Sequence, residues 1–358
     1  MTLVNWCIKA SLLRACDVLH IINFRRAHRV AVNESPTNQF LPRLGMLSKV
    51  EGMLLRHVIK TQPSRSGRRQ QIPRIEIDIH HVDYDHIKRV THGYTRPAVF
   101  TNLLSNAPRQ LDIEYLTELC GDKTVKVVKS GKEQMILNQV EMSTIKFSEF
   151  AERMQAGEAL YLNNSSAVFD DNKRLRKDLM IGDITRLFTK RKPKPTAQIF
   201  IGIQGTRTDL HCAMAPNLFY NSYGKKNWVF IAPKDTHFLR SNLSRSGVYA
   251  TSDYSIYADT LPEHFDAIEV FEATLQPGDV LFNPAFWWHS VYNETDYTIG
   301  VATRLFDGTI RTALHSLKQN PLFSFETIFL TRPFGRTFAL KPKDVEEIVL
   351  DGLRKKAS

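Results

Sequence analysis

The sequence predicts a mainly β protein with flanking helices, its strands assembled as an antiparallel barrel or sandwich. Three observations carry that prediction. Short apolar runs, Gln198–Ile203, Asn217–Tyr220, Asn227–Ile231, Ala267–Thr274, Val280–Phe282 and Tyr297–Arg304, follow one another with turns between them and no long helix intervening. Helical patterns dominate the two ends of the chain, over residues 1–60 and beyond Asp307-Gly308, with only short helices between them. The hydrophobic content is 42%, with 10% aromatics, over 358 residues, which is enough to pack one large domain with extensions or two ordinary ones.

In chain order, residues 1–74 read as a helical N-terminal extension followed by a basic linker. Leu12, Leu13, Cys16, Leu19 and His20 recur at helical spacing, as do Met53, Leu54 and Val58, with the turn cluster Glu34-Ser35-Pro36-Thr37-Asn38 between them. Residues 61–74, rich in arginine and broken by Pro and Gly, read as a solvated linker. Residues 75–308 form the main domain. At its start Ile75, Ile77 and Ile79 alternate with Glu76, Asp78 and His80, a period-2 strand signal. Arg96–Thr101 is a second short strand. Asp112–Cys120 is a helix with Asp112 as N-cap and Gly121 as its stop. Thr124–Val128 reads as a strand, Lys146–Met154 as a short helix and Ala159–Leu162 as a strand, and Arg186–Pro195 is a basic loop. Ile310–Leu317 and Lys343–Lys355 read as helices of a C-terminal region, residues 309–358.

The formal net charge of +11 favours an acidic or nucleic-acid-linked partner without choosing between them. Cys7, Cys16, Cys120 and Cys212 are far apart, so neither a zinc knuckle nor a disulfide framework is indicated. An intracellular location, cytoplasm or nucleus, follows from that cysteine usage. Lys9, Arg14, Arg25, Arg26 and Arg29 against Asp17 alone also allow an N-terminal organelle-targeting segment. No run reaches the roughly 18 apolar residues of a membrane span. The longest candidate, Leu3–Phe24, is broken by Lys9, Arg14 and Asp17.

Three segments carry candidate chemistry: Thr208–Asn217, Tyr223–Pro233 and Pro277–His289. Singly, each has an ordinary explanation. A histidine on a strand is most often a packed core residue. A Gly-Asp turn before an apolar strand is hairpin chemistry. Trp287 and Trp288 serve as core aromatics, and Lys226 beside Lys225 reads as a surface lysine.

Their order is more specific. The chain resembles the cupin-like Jumonji-C oxygenases that depend on Fe(II) and 2-oxoglutarate, and within them the subgroup containing the asparaginyl hydroxylase that acts on hypoxia-inducible factor. The resemblance runs from Arg96 to Gly308. It implies a double-stranded β-helix, the cupin or jelly-roll barrel of two facing sheets, preceded by a smaller α/β region and followed by helices that form a homodimer. It implies iron held by two histidines and a carboxylate, a set that occupies one face of an octahedron and leaves three positions for a bidentate 2-oxo acid and O₂. His211 and His289 stand at the two histidine positions, the second after Gly278-Asp279-Val280-Leu281. Thr208, Lys226 and Tyr161 stand where the family binds the distal carboxylate of 2-oxoglutarate, and Asn217 where it approaches the 2-oxo acid end. A buried carboxylate needs a cation and hydroxyl donors, which these side chains supply. The implied activity is hydroxylation of a protein or peptide side chain coupled to decarboxylation of 2-oxoglutarate. With no reader domain or zinc motif in the sequence, hydroxylation is favoured over histone demethylation.

The departure lies at the carboxylate position, which is Ala213. Three readings stay open on the residues alone. The chain is a pseudo-oxygenase whose barrel acts as a binding module; or iron binds with water or halide beside Ala213, as in the 2-oxoglutarate halogenases; or Asp209 substitutes. Asp209 lies two residues before His211, so strict alternation would put both on one side of the strand, with Cys212 on the other. The basic stretches 65–74 and 186–194 are placed to steer an acidic or nucleic-acid-linked substrate.

Overall fold

The computed structural model describes residues 69–304, except 105–106, 108–110, 130–140, 170–171, 190–195, 214, 244–248 and 259, together with residues 12, 49, 50, 53 and 54. The first strands are β1 (Arg69–Gln71), β2 (Arg74–Glu76), β3 (Ala98–Thr101), β4 (Thr124–Lys129), β5 (Glu141–Lys146) and β6 (Leu160–Ser165). Then follow β7 (Thr196–Ile203), β8 (Arg207–Ala213), β9 (Asn217–Tyr223), β10 (Lys226–Ile231), β11 (Ser241–Leu243) and β12 (Tyr249–Ser252). The last are β13 (Val270–Leu275), β14 (Val280–Asn283), β15 (Trp288–Asn293) and β16 (Tyr297–Arg304). Helices α1 (Tyr84–Val90), α2 (Ile113–Cys120), α3 (Phe147–Gln155), α4 (Lys173–Asp178) and α5 (Ile181–Arg186) lie among the first seven strands.

Among the described residues the strands form two sheets. One has the order β1-β13-β10-β15-β8-β12-β11, the other β2-β3-β14-β9-β16-β7-β6-β4-β5. All pairs are antiparallel except β1 with β13 and β2 with β3. This is the mainly β, double-stranded β-helix architecture expected of the sequence. The central strands of the larger sheet have two faces with different partners. On β9, Leu218 and Tyr220 join the core under the helices, whereas Phe219 joins the cluster between the sheets. On β14, Val280 and Phe282 pack outward and Leu281 inward. On β16, Ile299 and Val301 pack outward and Ala302 inward. Alternation therefore puts Asn217, Asn283 and Arg304 on the inner face as well.

Local sequence explains the element ends. Asp112 caps α2 by accepting from Tyr115 N at 2.7 Å, as predicted. The helix stops at Cys120 with Gly121 as its C-cap, as predicted, in the right-handed region (φ −54°). The period-2 run from Ile75 ends at Glu76. Asp78 Oδ1 accepts from His80 N at 2.9 Å, and that turn pulls Ile77 and Ile79 out of the strand. The stretch predicted as a solvated linker contains β1, and at its end Arg74 Nη2 grips both oxygens of Asp279 at 2.8 and 2.9 Å. That clamp pins the turn before β14. Helix α1, capped by Asp83, escaped the sequence reading although its cap motif was present. Of the helices predicted near the N-terminal end, Leu12, Met53 and Leu54 are described and helical; the rest, and the C-terminal helices from which a dimer was expected, lie outside the described residues. Among the described residues no helix is long and apolar enough to cross a membrane.

Candidate functional site

Strands β8 and β15 are neighbours, and their register sets His211 directly opposite His289. The ring centres are 4.2 Å apart, inclined at 55°. Each ring is tied back by its Nδ1: His211 to Asp209 O at 2.7 Å, His289 to Trp287 O at 2.9 Å. A carbonyl only accepts, so both Nδ1 atoms carry hydrogen and the lone pairs sit on Nε2. His289 is 5% exposed, with Trp228 stacked on it at 5.4 Å and Phe230 tilted at 5.8 Å. Burial holds its pKa well below the usual histidine value. The neighbouring His211 and Arg304 add to that, against the Trp287 carbonyl. His289 is therefore neutral at pH 7.

Ala213 shares the His211 face of β8, two residues on, and offers no donor. Its carbonyl accepts from Phe286 N at 2.8 Å, which locks the end of β8 to the turn before β15. Asp209 does not replace it. His289 pairs with His211 but Val291 pairs with Thr208, so two residues on β15 oppose three on β8. This bulge breaks the alternation. Thr208, opposite the inward Val291, takes the inner face together with His211, and Asp209 is the extra residue between them. Cys212 points to the outer cluster, fully buried, and burial pushes its thiol up. Among the described residues no group of three or more His, Cys, Asp and Glu side chains is placed to hold a metal. Two imidazoles are nitrogen donors of the kind an iron centre uses, but the carboxylate such a centre needs is missing, because Ala213 stands in its place.

Lys226 is no surface lysine. It is 1% exposed, and Nζ donates to Asn293 Oδ1 at 2.7 Å. Desolvation lowers its pKa from 10.5 to about 7. Nζ also lies 5.9 Å from the centre of the Phe219 ring. That ring crosses β16 at Gly300, where any Cβ would overlap Phe219 and sit 3.2 Å from Lys226 Cε. Asn293 Nδ2 in turn donates to Thr206 Oγ1 at 2.6 Å. A Cβ at Gly202 would meet Tyr161 Cδ2 at 2.5 Å and Asn293 Nδ2 at 2.9 Å, so Tyr161 packs against the same group. Phe230 lies opposite His289, and Lys226 is four residues along the same strand. At about 3.3 Å per residue the lysine Cα and the histidines are about 13 Å apart along the barrel. Thr208 lies between them, its Oγ1 accepting from Val291 N at 3.0 Å.

The structure thus gathers Lys226 and Tyr161 at one end, and His211, His289 and Asn217 at the other. It adds a polar layer that sequence reasoning missed. Arg304 Nε donates to Gln198 Oε1 and Nη2 to Asn164 Oδ1, both at 2.6 Å. Asn283 stands opposite Asn217, with Nδ2 3.4 Å from both ring nitrogens of His289. The available signal was a polar residue closing an otherwise apolar strand in each case, Val280-Leu281-Phe282-Asn283 and Gly300–Arg304.

A family model of the cupin-like domain matches residues 61–303. The chain is 24% identical over 213 residues to Jumonji C domain-containing protein 5 of Drosophila melanogaster, covering 56% of this chain and 52% of that protein. It is 25% identical over 253 residues to tRNA wybutosine-synthesizing protein 5 of Homo sapiens, covering 66% and 78%. It is 24% identical over 231 residues to 2-oxoglutarate and iron-dependent oxygenase JMJD4 of Mus musculus, covering 58% and 52%. The chain spans about half the length of the first and third of these relatives.

Proposed function

Since the chain belongs to the cupin-like domain family, which includes the JmjC oxygenases, we propose that its barrel binds 2-oxoglutarate, or a closely similar 2-oxo dicarboxylate, without sustaining iron-dependent hydroxylation. One observation carries this reading. Lys226 is a lysine buried inside the barrel whose described partner is a neutral amide, not a carboxylate. Burying an amine in this way costs stability unless an anion meets it. An entering carboxylate supplies that anion and, by linkage, draws a proton from solvent onto the amine.

In this reading Lys226 takes the distal carboxylate in a charge-assisted hydrogen bond. The hydroxyls of Thr208 and Tyr161 orient it. Phe219 and Trp228, in the apolar cluster between the two ends, keep water from the middle of the ligand. Asn217 and the two imidazoles face the 2-oxo end. Where the family holds iron with a carboxylate, that metal supplies oxygen activation. This chain has Ala213 there, and no step is routed through it. The test is calorimetry of the metal-free chain with 2-oxoglutarate, alongside succinate release under Fe(II) and O₂. The reading expects saturable binding that Lys226→Met abolishes, and no succinate. Absent binding overturns it, and stoichiometric succinate overturns the claim of no turnover.

A second reading has a specific observation behind it. Both Nδ1 atoms are tied to backbone carbonyls, which presents both Nε2 atoms as ligands. Iron bound there with halide or water beside Ala213 is the alternative. Chloride-dependent succinate release would establish it over the first.

A further inference from the structure

Arg304 ends β16 on the inner face, and the larger sheet holds its guanidinium in one direction. Nε donates to Gln198 Oε1 and Nη2 to Asn164 Oδ1. Both acceptors are neutral amides on fully buried residues. Gln198 pairs with the inward Ala302, and its own Nε2 donates to Asn164 O at 3.2 Å. Asn164 reaches this position through a distortion of its strand. The register of β6 against β7 shifts between Leu162 and Ser165, and Asn164 stands in the left-handed region (φ 59°). Two interlocked amides on a bent strand thus aim a single cation.

Across the sheet Arg304 pairs with Asn217, and Asn217 with Asn283, whose Nδ2 is 3.4 Å from His289. The guanidinium therefore belongs to the histidine end, where its charge, after burial and the neighbouring His211, helps to hold the His289 pKa down. The two amides and the two imidazoles, with their lone pairs on Nε2, add no negative charge. Position 213, where the resembled family places a carboxylate, is an alanine and adds none either. We infer that Arg304 is the second anchor of the dicarboxylate, taking its C1 carboxylate while Lys226 takes the distal one, so that the pocket selects a five-carbon dicarboxylate by its two ends and does not read the 2-oxo group. A guanidinium stays charged at any working pH, and its planar fork matches the two oxygens of a carboxylate. The 2-oxo oxygen is itself an acceptor. Beside imidazole lone pairs it gains no hydrogen bond. This inference rests on the reading of Lys226 above.

The test is calorimetry of the full chain, stripped of metal by chelation, at pH 6.5. The probes are 2-oxoglutarate, glutarate and pentanoate, the last keeping the chain length with one carboxylate. Glutarate is expected to bind within about tenfold of 2-oxoglutarate, and pentanoate at least about tenfold more weakly than glutarate, for the loss of one charged hydrogen bond. Arg304→Gln weakens both diacids at least about tenfold, and Arg304→Lys, which keeps the charge without the fork, weakens them less. A preference for 2-oxoglutarate over glutarate of more than about tenfold overturns the inference. So does pentanoate closer to glutarate than stated, or a smaller loss of glutarate affinity in Arg304→Gln. If Arg304→Gln does not fold, judged by its thermal melt, the three acids on the unaltered chain decide. Heat from none of them overturns the Lys226 reading and this inference together. Diacid binding lost in Lys226→Met but kept in Arg304→Gln overturns this inference alone.

Discussion

If the proposed dicarboxylate sits on Lys226, raising the pH from 7 to 9 is expected to release it through that one side chain. Burial alone pulls the Lys226 pKa down from 10.5 to about 7. The groups that face it are Asn293 on β15, Phe219 on β9 and the Gly300 backbone on β16, none of them charged. Tyr161 packs on Asn293, and burial keeps that phenol protonated. Only the ammonium form grips a carboxylate strongly. At pH 7 about half of the ligand-free chains carry it, and at pH 9 about one in a hundred. The apparent Kd therefore rises about 50-fold between pH 7 and 9, about 2.3 kcal/mol. Binding at pH 8 takes up about 0.9 proton. Calorimetry in two buffers of unlike ionisation enthalpy reads both quantities. The stability of the ligand-free chain moves the other way. The lysine pKa is lowered on folding, so between about pH 7 and 10.5 the unfolded chain binds the extra proton and stability rises with pH. A Kd constant within about threefold over pH 7–9, with no proton uptake at pH 8, refutes the assignment of the anion to Lys226.

Three further changes have defined outcomes. Ala213→Asp places a carboxylate on the His211 face, so Co(II) and Fe(II) affinity should rise at least about tenfold in metal-uptake measurements; unchanged affinity contradicts that facing. Gly300→Ala drives a methyl into Phe219 beside the Lys226 chain, costing about 1–3 kcal/mol by urea unfolding with an unchanged m value. Asp112→Ala removes the hydrogen bond to Tyr115 N and should cost about 1 kcal/mol, seen as a lower Tm with ligand binding intact.

The barrel strands were legible as short continuous apolar runs because both of their faces are buried: Leu218 and Tyr220 pack under the helices while Phe219 packs between the sheets. His211 and His289 were legible through the order of their motifs. Their pairing was not, since it depends on the register of two strands far apart in sequence. The Asp209 alternative failed for a related reason: a bulge is set by the partner strand and leaves no mark in β8 itself. Lys226 illustrates the same limit from the other side. Beside Lys225 it has the composition of a surface pair, yet one residue of pleat puts the first outside and the second in the barrel. Asn283 and Arg304 were visible as polar ends of apolar strands, but only the fold places both at the histidine end. β1 was hidden in a basic, Pro- and Gly-punctuated stretch because its pairing with β13 uses backbone groups rather than buried side chains.

The account rests most heavily on an anion meeting Lys226 inside the barrel. Calorimetric titration of the chelated, metal-free chain with 2-oxoglutarate at pH 6.5, unaltered and as Lys226→Met, tests that directly. The account predicts one saturable site in the unaltered chain, loss of at least about 100-fold in affinity in the variant, and a ligand-free variant at least as heat-stable as the unaltered chain. No heat of binding in the unaltered chain, or equal affinity in the two, contradicts it.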